Sequence, residues 1–380
     1  MEFIVAGGGS PEFCRRMGRS CSSSTDSGSV FSECRSERSD DLSLPGSPFC
    51  VGAASSSDSL RSFLFSSSGC SDDDIRSLVS DLESPYVESQ RRAAMELRLL
   101  AKPSTTDIRI RIACAGAVTP LVALLSHPDP QLQEHAVTAV LNLSLCDENK
   151  APIAAAGAVP NLVRALVTGT PVARGNAAFA LVPLAELADV RASIGLCGAI
   201  PPIVDLLQTG DARRKKDAAA SSLFKLLVVE GNAAVAAEAG VVPPLLEMMA
   251  DPELGMVDKA AYVLLRVLAS PEGRAATLDE GGVGVLVDML ELGSKRQKEV
   301  AMLSLVEICK ECEAYRRIVV REGAIPPLVT LSHSCSRRVK EKVTSLVTLL
   351  RQSTTRGRLT EPGTVPSDAR SHDFGDDSRM

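Results

Sequence analysis

One phrase is written six times along this chain. "AGAVTPLVALL" begins at residue 115, "AGAVPNLVRAL" at 156, "CGAIPPIVDLL" at 197, "AGVVPPLLEMM" at 239, "EGGVGVLVDML" at 280 and "EGAIPPLVTLS" at 322. Its glycines, Gly116, Gly157, Gly198, Gly240, Gly281 and Gly323, are spaced by 41, 41, 42, 41 and 42 residues. A period of that length constrains the fold more than any composition does, because a unit of this size stacks on copies of itself instead of closing a globular core.

Each copy reads as three helices. In the one opening near 147, "ENKAPIAAAG" is a short first helix closed by Gly157, since glycine accepts the left-handed conformation that ends a helix. A second helix starts at "AVPNLVRAL", with Pro160 in its first turn. "TGTPVA" reads as a polar turn before a longer third helix, "RGNAAFALVPLAEL". The third helices align on small residues, Ala93, Ala136, Ala177, Ala219, Ala260 and Ala301, which let neighbouring backbones approach. Seven positions further on, an apolar stripe runs through Leu100, Leu143, Leu184, Leu226, Val267 and Ile308. Such a unit cannot bury both of its faces alone. The expected fold is therefore all-α, a right-handed α-α superhelix of about seven units over 72–352.

The flanks differ in composition. Residues 1–71 ("GRSCSSSTDSGSVFSE", "AASSSDSLRSFLFSSSG") are rich in Ser and Gly, and 353–380 combine Pro, Gly and mixed charge. Neither buries enough apolar surface to offset its ordering entropy, so both are expected to be disordered tails.

The "GA(I/V)xPLVxLL" helix followed by "EHAVTAVLNLS" resembles an armadillo repeat. "QRRAAMELRLLAK" and "QLQEHAVTAVLNLSLCDENKAPI" are similar to the armadillo region of plant U-box ubiquitin ligases. The resemblance implies a concave groove lined by the third helices. In relatives such as the importin alpha family, an asparagine ladder there holds the backbone of an extended peptide. An asparagine amide both donates and accepts, as the peptide does. In this chain the ladder position reads Leu99, Asn142, Pro183, Lys225, Arg266 and Glu307, with one asparagine, and the chain has no Trp for the lysine pockets of import receptors. A nuclear-signal receptor is therefore disfavoured. What remains is a basic centre, Lys225 and Arg266, with Arg213, Arg214, Lys215 and Lys216 opening one third helix. Read functionally, these take an extended acidic or phosphorylated partner segment through charge-assisted bonds. Read blandly, they are a solvated helix surface, and "RRKK" also fits a nuclear-localisation patch.

The resemblance implies a non-enzymatic adaptor whose partners include receptor-type kinases or ubiquitin machinery, with a U-box-type ubiquitin ligase as the alternative. U-box ligases carry a U-box upstream. Residues 1–71 lack its apolar composition, so no ligase activity of its own is expected.

Other chemistry is sparse. A net charge of -6 disfavours nucleic acid as a partner. Eleven cysteines at irregular spacings, with no secretory signal in view, suggest free thiols in the cytoplasm or nucleus. Cys309 and Cys312 form a lone CxxC without a second pair at zinc spacing, and His127, His135, His333 and His372 show no catalytic arrangement. "AGGGS" near the start lacks the lysine of a phosphate loop. No cofactor, no metal and no transmembrane segment are expected, and the chain should be a monomer. "MGRSCSSS" from Met17 fits N-myristoylation at Gly18, with Cys21 placed for a second acyl chain, if translation starts at Met17. Ser39, Ser47 and Ser71 are candidate phosphorylation sites, and Ser84 with Pro85 fits either that or a helix start. A phosphorylated N-terminal arm is also a candidate ligand for the basic centre of its own chain.

Overall fold

A computed structural model describes residues 70–102, 106–210, 213–334 and 337–358. Gly18, Cys21, Ser39 and Ser47 lie outside them, as do the two expected tails up to Gly69 and beyond Arg358. Among the described residues are seven units. Unit 1 has α1 (Asp72–Leu82) and α2 (Val87–Ala101); unit 2 has α3 (Thr106–Cys114), α4 (Val118–Leu124) and α5 (Pro130–Ser144). Unit 3 comprises α6 (Asp147–Ala155), α7 (Ala158–Thr168) and α8 (Pro171–Leu184); unit 4, α9 (Ala188–Leu196), α10 (Ile200–Thr209) and α11 (Arg213–Leu226). Unit 5 comprises α12 (Asn232–Glu238), α13 (Val242–Ala250) and α14 (Val257–Val267); unit 6, α15 (Pro271–Asp279), α16 (Gly282–Leu292) and α17 (Lys295–Cys309). Unit 7 closes the stack with α18 (Glu313–Arg321), α19 (Ile325–Ser334) and α20 (Arg337–Arg358). The third helices pack in series, α2 on α5, α5 on α8, and so on to α20, as a right-handed solenoid requires.

The repeated glycine forms the corner between first and second helices. All six copies have φ between +69° and +91°. At Gly157 and Gly323 a Cβ would meet nothing within 4 Å, so backbone conformation, and not space, demands glycine there. The six third-helix alanines are fully buried, and Leu143, Leu184, Leu226, Val267 and Ile308 follow them into the core. Leu100 stays half-buried, because in α2 the inward face is carried by Leu97 and Ala101.

Three boundaries depart from expectation. α8 begins at Pro171, inside the stretch read as a turn, because the Thr170 hydroxyl accepts from the Ala173 N–H at 3.1 Å and Pro171 suits the first helical position. The last helix runs on to Arg358, past the apolar pattern that ends near Gln352, since extending a formed helix costs little. At the other end Cys70 is already buried in the core, and Ser71 caps α1. The Ser71 hydroxyl accepts from the Asp74 N–H at 3.2 Å and donates to the Asp74 carboxylate at 2.7 Å, which holds that carboxyl below its usual range. Ser84 lies just ahead of α2, its hydroxyl accepting from the Tyr86 N–H at 3.3 Å.

A second ladder runs along the junctions between units. Each third helix ends with carbonyls that lack an internal donor, and the next first helix supplies one. Arg109 Nε donates to Ala101 O at 3.0 Å, Asn149 Nδ2 to Leu143 O at 3.1 Å and Arg191 Nε to Ala185 O at 2.6 Å. Asn232 Nδ2 donates to Leu226 O at 2.8 Å, Arg274 Nη1 to Leu268 O at 3.1 Å and Arg316 Nε to Cys309 O at 2.7 Å. The four arginines also place positive charge at the negative end of the helix dipole.

Candidate partner-binding face

The layer of third helices carries the candidate residues. Asn142, the single ladder asparagine, is 9% exposed and gives an amide N–H to Arg98 O at 3.0 Å. It ties unit 2 to unit 1 instead of offering both amide groups outward. Pro183, at the same place in α8, is buried. On Asn142's own helix, His135 has a buried Nδ1 without a hydrogen-bond partner among the described residues. Burial first, then the nearby Arg98 and Arg91 guanidinium groups, outweigh Asp129 and lower its pKa from 6.5 to about 4. The unfolded chain thus takes up this proton near 6.5, whereas the folded chain resists until about 4. Folding stability is expected to fall as pH drops through that interval, and His135→Gln should flatten the dependence in urea unfolding followed across it.

Lys225 is not an isolated charge. Its Nζ lies 3.5 Å from Glu186 Oε1, the other Glu186 oxygen is held by Lys150, and Lys150 reaches Asp147 at 2.5 Å. Burial alone would raise the Glu186 carboxyl; the Lys150 hydrogen bond and the charges of Lys150 and Lys225 prevail and hold it below the usual range. The 213–216 run serves the scaffold in part. Arg213 Nη2 approaches Gly255 O at 3.4 Å, and the stems of Lys215 and Lys216 lie against Gly210. Arg214 lies in α11 with its side chain outside the described set.

Arg266 has a different setting. Its guanidinium carbon lies 5.4 Å from the centroid of Phe224, the residue before Lys225 on the neighbouring third helix. Phe224 meets Tyr262 edge to face, with centroids 6.3 Å apart and planes at 73°. Arg296, at the start of the next third helix, sits 5.1 Å over the Tyr262 ring and donates from Nε to the Tyr262 hydroxyl at 2.8 Å. The structure therefore brings Lys225 and Arg266 to one stretch of units 4 and 5 and adds Phe224, Tyr262 and Arg296. The sequence held a signal for them. In a chain that is 3% aromatic, two half-buried rings on adjacent third helices are conspicuous.

The CxxC does not form a paired site. Cys309 is buried in α17, where desolvation pushes its pKa up to about 12 against a smaller opposing effect of Arg316, while Cys312 lies beyond the helix end. Among the described residues, no group of three or more His, Cys, Asp or Glu side chains is placed to hold a metal ion. No single described helix is long and apolar enough to cross a membrane.

A three-helix unit with a left-handed glycine corner, stacked in series by its third helices, defines an armadillo-repeat solenoid. The family model of the plant U-box protein ARM repeat region matches residues 74–360, and the chain belongs to that family. It is 50% identical over 95 residues to U-box domain-containing protein 14 of Arabidopsis thaliana, an alignment covering 25% of this chain and 13% of that protein. It is 55% identical over 74 residues to E3 ubiquitin-protein ligase SPL11 of Oryza sativa subsp. japonica, covering 20% and 10%. The chain thus matches only about a tenth of the length of these relatives. Among solved structures, an engineered protein superposes with TM-score 0.62 at 25% identity over 76% of this chain and 74% of its own. A designed armadillo repeat protein in complex with the peptide (KR)4 superposes with TM-score 0.52 at 20% identity, over 62% and 99%, a likeness of fold alone. The candidate residues lie on the third helices, which pack in series along the stack.

Proposed function

We propose that this chain is a non-enzymatic adaptor whose inner layer binds an extended acidic or phosphorylated segment of a partner protein. One observation carries the reading. Arg266 is held on the Phe224 ring beside Lys225, which places two cations on adjacent units of the inner layer. Stacking spends the face of a guanidinium and not its edge, and the edge carries its hydrogen-bond donors. The wider setting is proposed from the family: receptor-type kinases or ubiquitin machinery as partners, action as a monomer in the cytoplasm or nucleus, and membrane attachment only through acylation at Gly18 and Cys21.

A peptide array with matched acidic, phosphorylated, basic and neutral sequences tests the groove. Acidic or phosphorylated peptides are expected to bind the full chain and to lose binding in a Lys225→Glu, Arg266→Glu double variant. Binding that survives charge reversal, or that favours basic peptides, sinks the reading. A second reading rests on the U-box proteins among the relatives: that the chain acts in ubiquitin transfer. Ubiquitin conjugates formed by this purified protein with E1 and E2 would establish it over the adaptor.

A further inference from the structure

Units 2 to 7 each open with a short first helix, and every one of these helices ends two residues before its corner glycine. Among the described residues unit 1 has only α1 and α2. First helices touch from unit to unit, α3 with α6 and α12 with α15. α3 heads this series, so among the described residues no first helix stands on its other side, and its Ile108 and Ile110 are each half-buried. Six residues before the later corner glycines, where α3 has Ile110, the chain carries Ala151, Ala192, Ala234, Ala275 and Arg317. An isoleucine left half in water at that place forgoes burial that the other units do not need. The chain also arrives at α1 alongside α3. Cys70, the first described residue, is 5% exposed; its carbonyl accepts from Arg111 Nη2 at 2.8 Å, and Arg111 Nε donates to Asp72 Oδ1 at 2.8 Å. The counterparts of Arg111 in the later first helices, Pro152, Ser193, Val235, Ala276 and Ile318, are uncharged, so this tether belongs to unit 2 alone.

We propose that the open side of α3 is a docking surface for the chain's own segment 59–67, "SLRSFLFSS", which completes unit 1 as its first helix. The segment lies outside the described residues, and its sequence fits that place. Gly69 stands two residues beyond Ser67, as the corner glycine does beyond every described first helix. Nine residues is the length of α3, α6, α9, α15 and α18. α1 begins three residues after Gly69, close to the one or two of the later units. Asp58 precedes the segment, and a carboxylate there suits the unpaired N–H groups that open a helix. Four residues before the corner glycine, the first helices bury Ile112, Ile153, Ile194, Ala236, Thr277 and Val319, each 0% exposed; the same place before Gly69 is Phe65. Leu60, Phe63 and Leu64 recur at i, i+3 and i+4, which gives a helix here an apolar side to set against Ile108 and Ile110. A helix this short does not hold itself together in water, so it forms by docking. Because its end is tethered at Cys70, the segment meets α3 at a high effective concentration, which favours it over a second copy of the chain or a separate partner.

The test is hydrogen exchange by mass spectrometry on the full chain, with the mass of the particle taken from light scattering. Amides of 59–67 are expected to exchange at least about tenfold more slowly than in a free peptide of the same sequence, and in a monomer. Phe65→Asp and, from the other side of the contact, Ile110→Asp should each bring 59–67 to the free-peptide rate and speed exchange in α1 and α3. Units 4 to 7 should keep their protection, because contacts in a solenoid are local, and that protection establishes that each variant folds. Gly69→Ala should cut the protection of 59–67 about tenfold, since alanine resists the left-handed corner, while Ser68→Ala leaves it intact. Exchange of 59–67 at the free-peptide rate in the unaltered protein would overturn the proposal. So would protection that is unchanged in Phe65→Asp, in Ile110→Asp or in Gly69→Ala. A dimer that Ile110→Asp converts to a monomer, with 59–67 unprotected in both, would overturn it as well and assign the face to a second copy of the chain.

Discussion

Gly273→Ala is expected to destabilise units 5 and 6 by about 3 kcal/mol or more, the upper range for overpacking. An ideal Cβ at Gly273 would stand 2.1 Å from Val267 O, 2.7 Å from Val267 C and 2.7 Å from Val267 Cγ1. Two of those atoms are backbone at the end of α14, so no rotamer change relieves the contact, and α15 must move away from the helix before it. Because the solenoid contacts are local, the loss should concentrate around that junction, with urea unfolding reporting the cost and hydrogen exchange its location. Gly284→Ala is the matched control. It lies in α16 with nothing within 4 Å of the added carbon, and it should be neutral or stabilising by up to about 1 kcal/mol. Equal effects of the two changes would show that the close approach at Gly273 is not what fixes the junction.

Asn149→Leu is expected to cost about 1–3 kcal/mol, from the loss of two side-chain hydrogen bonds at the junction. Asn149 is 2% exposed, and its amide donates to Leu143 O and Arg109 O, both at 3.1 Å, so it joins the end of α5 to the first helix of the same unit. Leucine fills the same space and makes neither bond. Arg191→Leu, at the equivalent place one unit on, should cost only about 1 kcal/mol, because Arg191 is half-exposed and its second bond, to Glu186 O, lies in solvent. Thermal unfolding of the two variants side by side checks the difference. A milder effect at Asn149 than at Arg191 would mean that packing, and not the hydrogen bond, is what this position contributes.

The contrast between these positions explains which parts of the fold could be read in advance. The corner glycines were legible because one residue type alone is comfortable at φ near +80°, so the same letter recurs. The buried alanines were legible for a similar reason: one small size suits one close approach. The junction ladder was not, because Arg109, Asn149, Arg191, Asn232, Arg274 and Arg316 perform one task with two residue types, and a search for identity passes over it. The start of α8 was misread because threonine and proline mark turns and helix starts alike, and the Thr170 hydroxyl decides between them only in three dimensions. Aligning on the alanines placed Asn142, Lys225 and Arg266 at one position of the third helices of units 2, 4 and 5, but it could not show that the Asn142 amide turns back to Arg98. Nor could it find the stacked cation–ring pairs. Phe224 lies five residues after its alanine and Tyr262 two after its own, so partners that touch across units occupy different columns of the repeat.

The serial stacking has a mechanical consequence as well. Springs joined end to end add their compliances, so a slight rotation at every junction sums to a large change in the pitch of the whole. Because a single side chain bridges the α14–α15 junction at Leu268 and another bridges the α5–α6 junction at Leu143, tension between the two ends of the solenoid would spread over all its interfaces. It would stretch the superhelix before any one unit came apart.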